Sequence, residues 1–342
     1  MSSAPPRRLG FFTRLLDEAG PAERYRLATE QIRCAERHGF HSAWVAQHHF
    51  HEGEGGLPAP LVFLAHAGAQ TSRIRLGTGI ITLPLDLPIR VAEDTAVLDL
   101  LLDGRLEVGM GPGGNLTAFT AFGLDSAARG RLFDDHLALV RRAWRGESLA
   151  GGDRLYPANP DLDGRVWQAT FTVDGARRAG LAGDGLMLSR TQPRPADRPT
   201  LSLADLQNEM IDAYLAALPA GAAPRVLASR SVYVADDRAD ALRHAEVGLN
   251  RFRGRLKDGR GAGGGDVRDM IRAFDSHVGT VDDVVQSLAA DTTLARATDL
   301  TMQVHSIDPP HPLILRAIEL FATGVAPALG WAPDATAMRR VA

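Results

Sequence analysis

The chain has one cysteine, Cys34, so it cannot form an internal disulfide, which fits a reducing compartment. It has no uninterrupted apolar run of membrane-spanning length, and residues 1–8 are short and polar, without the apolar core of a signal peptide. Charge of one sign is also scarce. The net charge is −3, the charged residues are scattered over all 342 positions, and no basic stripe marks a nucleic-acid binder. Hairpin signals such as Asn-Gly are missing, and no short internal repeat is visible. These absences point to a soluble, cytoplasmic protein with neither membrane nor nucleic acid as a partner.

What is present is an apolar content of 45% and a regular alternation of short apolar runs with segments of helical period. Strands are expected at residues 9–13, 42–46, 74–83, 106–110, 166–169, 186–189, 225–235 and 300–304. Between them lie helices, one carrying Tyr25, Ala28, Ile32 and Ala35 on a face that Gly39 ends. Others follow at 60–69, 88–102, 133–144, 176–182, 206–218, 242–256 and 312–323; Pro88 suits a first-turn position. Eight strands separated by helices imply a parallel sheet. An open doubly wound sheet is the competitor, but eight regular alternations favour closure into a (β/α)8 barrel, a single α/β domain over residues 1–342. Residues 146–164, rich in Gly, Asp and Pro, read as an insertion. Residues 257–280 contain Gly261, Gly263, Gly264 and Gly265 and read as a loop, in the place where a barrel often carries a mobile lid.

A closed barrel places its working residues at the C-terminal ends of its strands. The second strand ends in Gln47-His48-His49-Phe50-His51. No carboxylate or thiolate pattern accompanies these histidines at metal-ligand spacing. Neighbouring His48 and His49 cannot face the same way, so one should enter the mouth as a proton-transfer group, since imidazole titrates near neutrality; a hydrogen-bonded structural histidine is the plain alternative. In the third strand Thr78 is flanked by Gly77 and Gly79, and the glycines mark close approach of another group or tight packing. The stretch from Gly109 through Gly111 and Pro112 to Gly114 formally matches a dinucleotide fingerprint, but reads better as a side-chain-free turn whose amides can reach a ligand. Thr170, Thr172 and Gly175 open a short helix, a natural phosphate site, although Thr and Asp are also ordinary caps and Asp174 would repel an anion it faced. Ser189 and Arg190 end the next strand, and Arg190 or Arg194 could supply a bidentate phosphate contact.

Taken together, Gly39-Phe40 leading to Trp44-Val45-Ala46-Gln47-His48-His49-Phe50, then Arg75 to Gly79, Leu83-Pro84, Pro88 to Glu93, Leu98-Asp99, Gly104-Arg105, Phe122-Gly123 and Asp125 resemble the luciferase-like flavin-dependent monooxygenases. The resemblance covers nearly the whole chain and thins after Arg194. It implies that His48 is the catalytic histidine of proton transfer beside the flavin. It also implies that Gly79-Ile80 is a small-residue pair with a cis peptide against the isoalloxazine ring, and that Thr170, Thr172 and Gly175 hold the flavin phosphate with Ser189 in contact. Thr78, Gly111, Gly114 and Arg190 complete the expected FMN site.

The implied reaction is that of a two-component monooxygenase. Reduced FMN arrives from a separate NAD(P)H-dependent flavin reductase, oxygen forms a flavin hydroperoxide shielded from water, and a small organic substrate is oxidised. A homodimer through the helices near 61–69 and 88–102 is also implied. Two departures stand out: Gln47 replaces the motif's glutamate, and Gly111-Pro112 replaces a cysteine and a phosphate-binding arginine, which argues against light emission. A deazaflavin-dependent hydride transferase and a non-catalytic flavin-binding barrel are the alternatives.

Overall fold

The computed structural model describes residues 7–256, 258–263, 265–331 and 333–334. Residues 1–6, Lys257 and Gly264 lie outside the described residues, so the expectation of a polar leaderless start and part of the 257–280 segment fall there. Eight parallel strands form the barrel: β1 (Arg8–Thr13), β2 (Ser42–Val45), β3 (Arg75–Thr78), β5 (Leu106–Gly111), β6 (Val166–Ala169), β7 (Gly185–Leu188), β8 (Val226–Val234) and β10 (Asp299–Gln303). The ring closes because β10 pairs with both β1 and β8. Closure is reinforced where Arg8 grips Asp299 with two hydrogen bonds of 2.8 and 3.0 Å. All nine residues of β8 are buried between barrel interior and helices, Ser229, Arg230 and Ser231 at its centre included.

The helices follow as expected. α1 (Pro21–Arg37), α2 (Pro60–Gly68) and α3 (Pro88–Leu101) each begin on a proline, whose missing N–H is an orphan there in any case. α4 (Leu116–Ala121), α5 (Arg129–Trp144), α6 (Val173–Leu181), α7 (Leu203–Ala217), α8 (Arg238–Arg251), α9 (Val267–Ala273), α10 (Val281–Ala289) and α11 (His311–Leu320) complete the outer ring and its loops. The 146–164 insertion is held by Arg165 and Asn159, which converge on Asp99 at 2.6–2.8 Å, while Asp99 also accepts from the Leu106 amide at 3.1 Å and so fixes the start of β5. Among the described residues, no helix is long and apolar enough to cross a membrane.

Two expectations needed correction. Residues 74–83 are not one strand: β3 stops at Thr78, the Gly79–Ile80 peptide is cis, and the two-residue β4 (Ile81–Thr82) resumes pairing with β5. Residues 257–280 are not simply a loop, since they contain α9 and the strand β9 (Ser276–Gly279), which pairs in parallel with the outer part of β8. The glycine run masked an apolar helical spacing of Val267, Met270, Ile271 and Phe274, with Met270 and Phe274 buried.

A separate apolar layer fills the barrel: Phe12, Trp44, Ala46, Trp167, Met187 and Leu227, with Ile80 and Ala169 packed on it. Trp44 and Trp167 meet edge to face at 5.8 Å. The interior glycines make room for this layer. A Cβ on Gly77 would stand 2.3 Å from the Trp44 ring, and one on Gly109 would stand 2.0 Å from the Thr78 carbonyl oxygen. Because the second collision is with backbone, Gly109→Ala should force β3 and β5 apart and cost about 3 kcal/mol. A urea unfolding midpoint equal to wild type would disprove that packing account.

Candidate functional site

His48 leaves the end of β2 and faces the barrel mouth, its amide donating to the Leu57 carbonyl at 3.0 Å. Its Nδ1 lies 4.0 Å from the Glu54 carboxylate, which in turn accepts from Asn115 at 2.7 Å. Burial, then the nearby Arg14 guanidinium, His49 and Arg190, push the His48 imidazole down to about 2. This corrects the expectation of titration near neutrality: a half-buried ring near the Arg14 and Arg190 guanidinium groups stays neutral at physiological pH. His49 packs T-shaped with Phe122, ring centroids 5.0 Å apart, and Asp86 acts on its charge. Gln47 accepts from the Thr82 amide at 2.7 Å and so pins the motif to β4. Gln47, His48, His49, Thr82 and Asn115 enclose a cavity of about 20 Å³, room for one water.

Closure brings four further groups to His48 that sequence reasoning missed or cast otherwise. Arg14 follows β1, and one of its terminal nitrogens donates to the Glu54 carbonyl while its Nε is buried without a partner. Arg190 follows β7 and donates to Ser231 Oγ on β8 at 3.1 Å, on the side of β7 away from β6. Burial and the proximity of Arg14 pull the Arg190 guanidinium down to about 9. His305 and Asp308 follow β10, joined by a 2.7 Å contact between Nδ1 and Oδ2. Burial keeps His305 well below its ordinary value, helped by Arg190, Arg14 and His48. Burial raises the Asp308 carboxyl to about 7 against the opposing pull of Arg14, Arg190 and Arg251. The signal that could have found Arg14, His305 and Asp308 is position alone, since each lies just past a barrel strand's C-terminal end.

Most of the residues read as cofactor ligands lie past β3, β5 and β6, while Ser189 and Arg190 follow the next strand, β7. Thr78 is fully buried and its hydroxyl is committed to Gly109, donating to the carbonyl at 2.8 Å and accepting from the amide at 3.0 Å. Gly79–Ile80 lies on the apolar layer, where Gly79 yields space to Phe12 and Gly111 yields space to Ile80. Gly114 is exposed in the turn before α4. Thr172 caps α6 by accepting from the Gly175 amide at 3.1 Å, and Thr170 Oγ1 accepts from the Thr172 amide at 3.1 Å. Gly175 admits the Thr170 hydroxyl, which a Cβ there would meet at 2.0 Å. Asp174 turns outward, its side chain 89% exposed and paired with Arg177 at 2.7 Å, so it does not oppose an anion at the helix start. Ser189 is half-buried at the end of β7, its carbonyl accepting from Gln207 at 2.7 Å. The Thr170 and Thr172 hydroxyls at a helix N-terminus, bordering an apolar floor, fit the phosphate and ring of a flavin or deazaflavin.

Arg194, the other arginine offered for phosphate, is paired with Asp275 at 2.5 Å and buried. Asp275 also binds Thr191 and Arg260, and Asp258 joins Arg260 to the Arg194 amide, so the described part of the glycine-rich segment is tied to the end of β7.

The family model for luciferase-like monooxygenase matches residues 9–297. Among curated proteins, the chain is 28% identical over 323 residues to the 4-hydroxyprotoasukamycin monooxygenase of Streptomyces nodosus subsp. asukaensis, covering 87% of this chain and 85% of that protein. It is 32% identical over 181 residues to an F420-dependent glucose-6-phosphate dehydrogenase of Beutenbergia cavernae, covering 49% and 53%. Among solved structures, the monooxygenase RslO1 from Streptomyces bottropensis superposes with a TM-score of 0.77 at 27% identity, covering 94% of this chain and 99% of that one. The oxygenating constituent of 3,6-diketocamphane monooxygenase from Pseudomonas putida, a type II Baeyer-Villiger monooxygenase solved with FMN, gives 0.74 at 19% identity over 95% and 98%.

Asp308 makes the mouth sensitive to pH. Its folded value of about 7 lies above the ordinary 3.8, so the folded chain holds a proton that the unfolded chain loses. Its contribution is therefore fully present below about pH 4 and is lost as pH rises through 7, by at most about 4 kcal/mol. Asp308→Asn should gain on wild type between pH 4 and 7 and then run parallel. Denaturant melts at pH 4, 5.5, 7 and 8.5 check this, and parallel curves throughout would show that Asp308 ionises normally.

Proposed function

Because the chain belongs to the luciferase-like monooxygenase family, we propose that it is the cytoplasmic oxygenase component of a two-component, FMN-dependent monooxygenase acting on a small organic substrate. The observation that supports this reading most is the division of the mouth into an apolar floor with hydroxyl-lined phosphate cradle on one arc and a polar, proton-bearing cluster on the other. Thr170, Thr172 and Gly175 hold the phosphate, with Ser189 beside them, and Gly79–Ile80 supports the ring, backed by Gly111. Thr78 positions this turn through Gly109, and the backbone of Gly114 lies on the same arc. Bound and reduced by a separate flavin reductase, FMN supplies the electrons that activate molecular oxygen.

The protein's own part is position, dryness and proton control. Phe12, Ile80, Ala169 and Trp167 exclude water from the floor. His48, held neutral, offers one ring N–H and one lone pair to the reacting centre without adding charge. Asp308 Oδ2, bonded to His305 Nδ1, holds the proton that can leave near neutral pH, which places general acid–base duty on this pair rather than on an imidazolium at His48.

A deazaflavin cofactor is the second reading, favoured by the similarity to the F420-dependent dehydrogenase across 49% of the chain. Dimerisation is part of the proposal. Val62 on α2 is 73% exposed and Leu101 on α3 is 68% exposed, with Leu87, Val97 and Leu100 beside them. An outer-wall cleft of about 820 Å³ between α1 and α2, lined by Tyr25, Arg33, Val62 and Phe63, adjoins this face and lies outside the strand ring. Such a patch is the kind a homodimer covers.

Supplying reduced FMN from a generic reductase and following oxygen uptake over a substrate panel tests the assignment; hydride transfer from reduced F420 without oxygen uptake would replace it. His48→Ala should keep FMN affinity within twofold while losing at least a hundredfold in kcat, and full turnover would remove His48 from the reaction. Thr172→Ala should weaken FMN binding about tenfold where Thr172→Ser does not; equal dissociation constants would place the phosphate elsewhere. Leu100→Glu with Leu101→Glu should sediment as a monomer, and an unchanged sedimentation coefficient would reject this dimer face.

A further inference from the structure

Several of the enclosed arginines in this protein are ion-paired. Arg24, Arg141, Arg165, Arg194 and Arg230 each have a carboxylate oxygen within 3.2 Å. Arg14 and Arg190 differ from these: among the described residues, neither has a carboxylate at ion-pair distance, and burial and the Arg14 charge both act on Arg190. Arg14 retains a buried Nε with no partner. Every carboxylate near them is engaged elsewhere. Asp275 holds Arg194, Arg260 and Thr191, Glu54 holds Asn115, and Asp308 holds His305. Holding two neighbouring cations largely out of water with no carboxylate at ion-pair distance is costly, so a site built this way suits an anion that arrives with a ligand.

The place of the pair says which ligand. Arg14 follows β1, Arg190 reaches from β7 toward β8, and His305 follows β10, so the group spans the arc from β7 through β8 and β10 to β1, next to the β3, β5 and β6 ends. We propose that the organic substrate carries a carboxylate that docks between the Arg14 and Arg190 guanidinium groups, leaving the rest of the molecule beside His48. This rests on the assignment of the other arc to FMN. Planar guanidinium forks match a carboxylate in two-point geometry, and each anionic oxygen would take up donors that the protein leaves open. Asp308 is the built-in competitor. Facing it are Arg14 from β1, Arg190 from β7, Arg251 from α8, Asp17 beyond β1 and its own partner His305. Ionised, it partly neutralises the pair; protonated, it leaves the pair free, so carboxylate affinity should rise as pH falls below about 7.

The test uses the FMN-loaded full chain and isothermal titration with acetate, octanoate and benzoate, each beside its primary amide. At least one acid should bind ten times more tightly than its amide. That preference should disappear in Arg14→Gln and Arg190→Gln, persist at reduced strength in Arg14→Lys, and become independent of pH between 5.5 and 8 in Asp308→Asn. FMN affinity, measured on the same proteins by fluorescence quenching, should stay within twofold of wild type. Acids binding no better than amides, or a preference that survives both glutamine variants, would overturn the proposal while leaving the flavin assignment intact. Loss of FMN affinity in Arg190→Gln with acid preference unchanged would also overturn it, assigning the cation to the flavin phosphate. If wild type fails to bind FMN, the functional reading itself falls, and the acid–amide comparison on the unloaded chain still decides the anion site.

Discussion

Parallel strands can satisfy both of their backbone edges only if the last one finds the first. Here Asp299–Gln303 stands between Arg8–Thr13 and Val226–Val234, donating and accepting on both sides, with the Arg8–Asp299 ion pair locking the seam. Closure removes the exposed sheet edge and sets the radius of the interior. That interior is a layer of Phe12, Trp44, Trp167, Met187 and Leu227, which fills the ring and becomes the floor of the mouth above. Without the seam, Arg14, His48, Arg190 and His305 would be residues on four distant stretches of chain. With it they share one depression.

The electrostatics of that depression follow from the same geometry. Burial suppresses charge on His48 and His305 and on Asp308, while the arginines, which cannot readily lose their protons, remain cationic. The result is a mouth in which the ionisable histidines are neutral and the group nearest its midpoint at neutral pH is a carboxyl. This reverses the usual assignment of histidine as proton carrier and carboxylate as fixed charge. It also separates two tasks on the ring, because a neutral imidazole beside an apolar floor suits a ring system and enclosed cations without an ion-paired carboxylate suit an oxyanion.

The glycine-rich segment shows how far composition can mislead. Gly261 and Gly263 form a turn, yet the chain resumes as a helix and a strand within a few residues, and Asp258, Arg260 and Asp275 anchor it to the end of β7. The interior glycines carry the opposite lesson. Gly77, Gly79 and Gly109 look like clearance for a ligand, but Trp44, Phe12 and the Thr78 carbonyl occupy the space they open. Packing accounts for them before any cofactor is invoked.

Periodicity along the chain was enough to determine eight strands, their intervening helices and a parallel barrel, because burial on both faces writes continuous apolar runs and proline and glycine punctuate helix ends. The histidine motif and the Thr170 to Gly175 turn were legible for the same reason, as local patterns whose neighbours lie nearby in sequence. Which histidine faces inward, which arginines lack partners and that Asp308 titrates near neutrality were decided only by the closed fold. Those properties depend on burial and on charges from β1, β7, β8 and β10 meeting across nearly three hundred residues, and no local pattern encodes a sum over such distant groups.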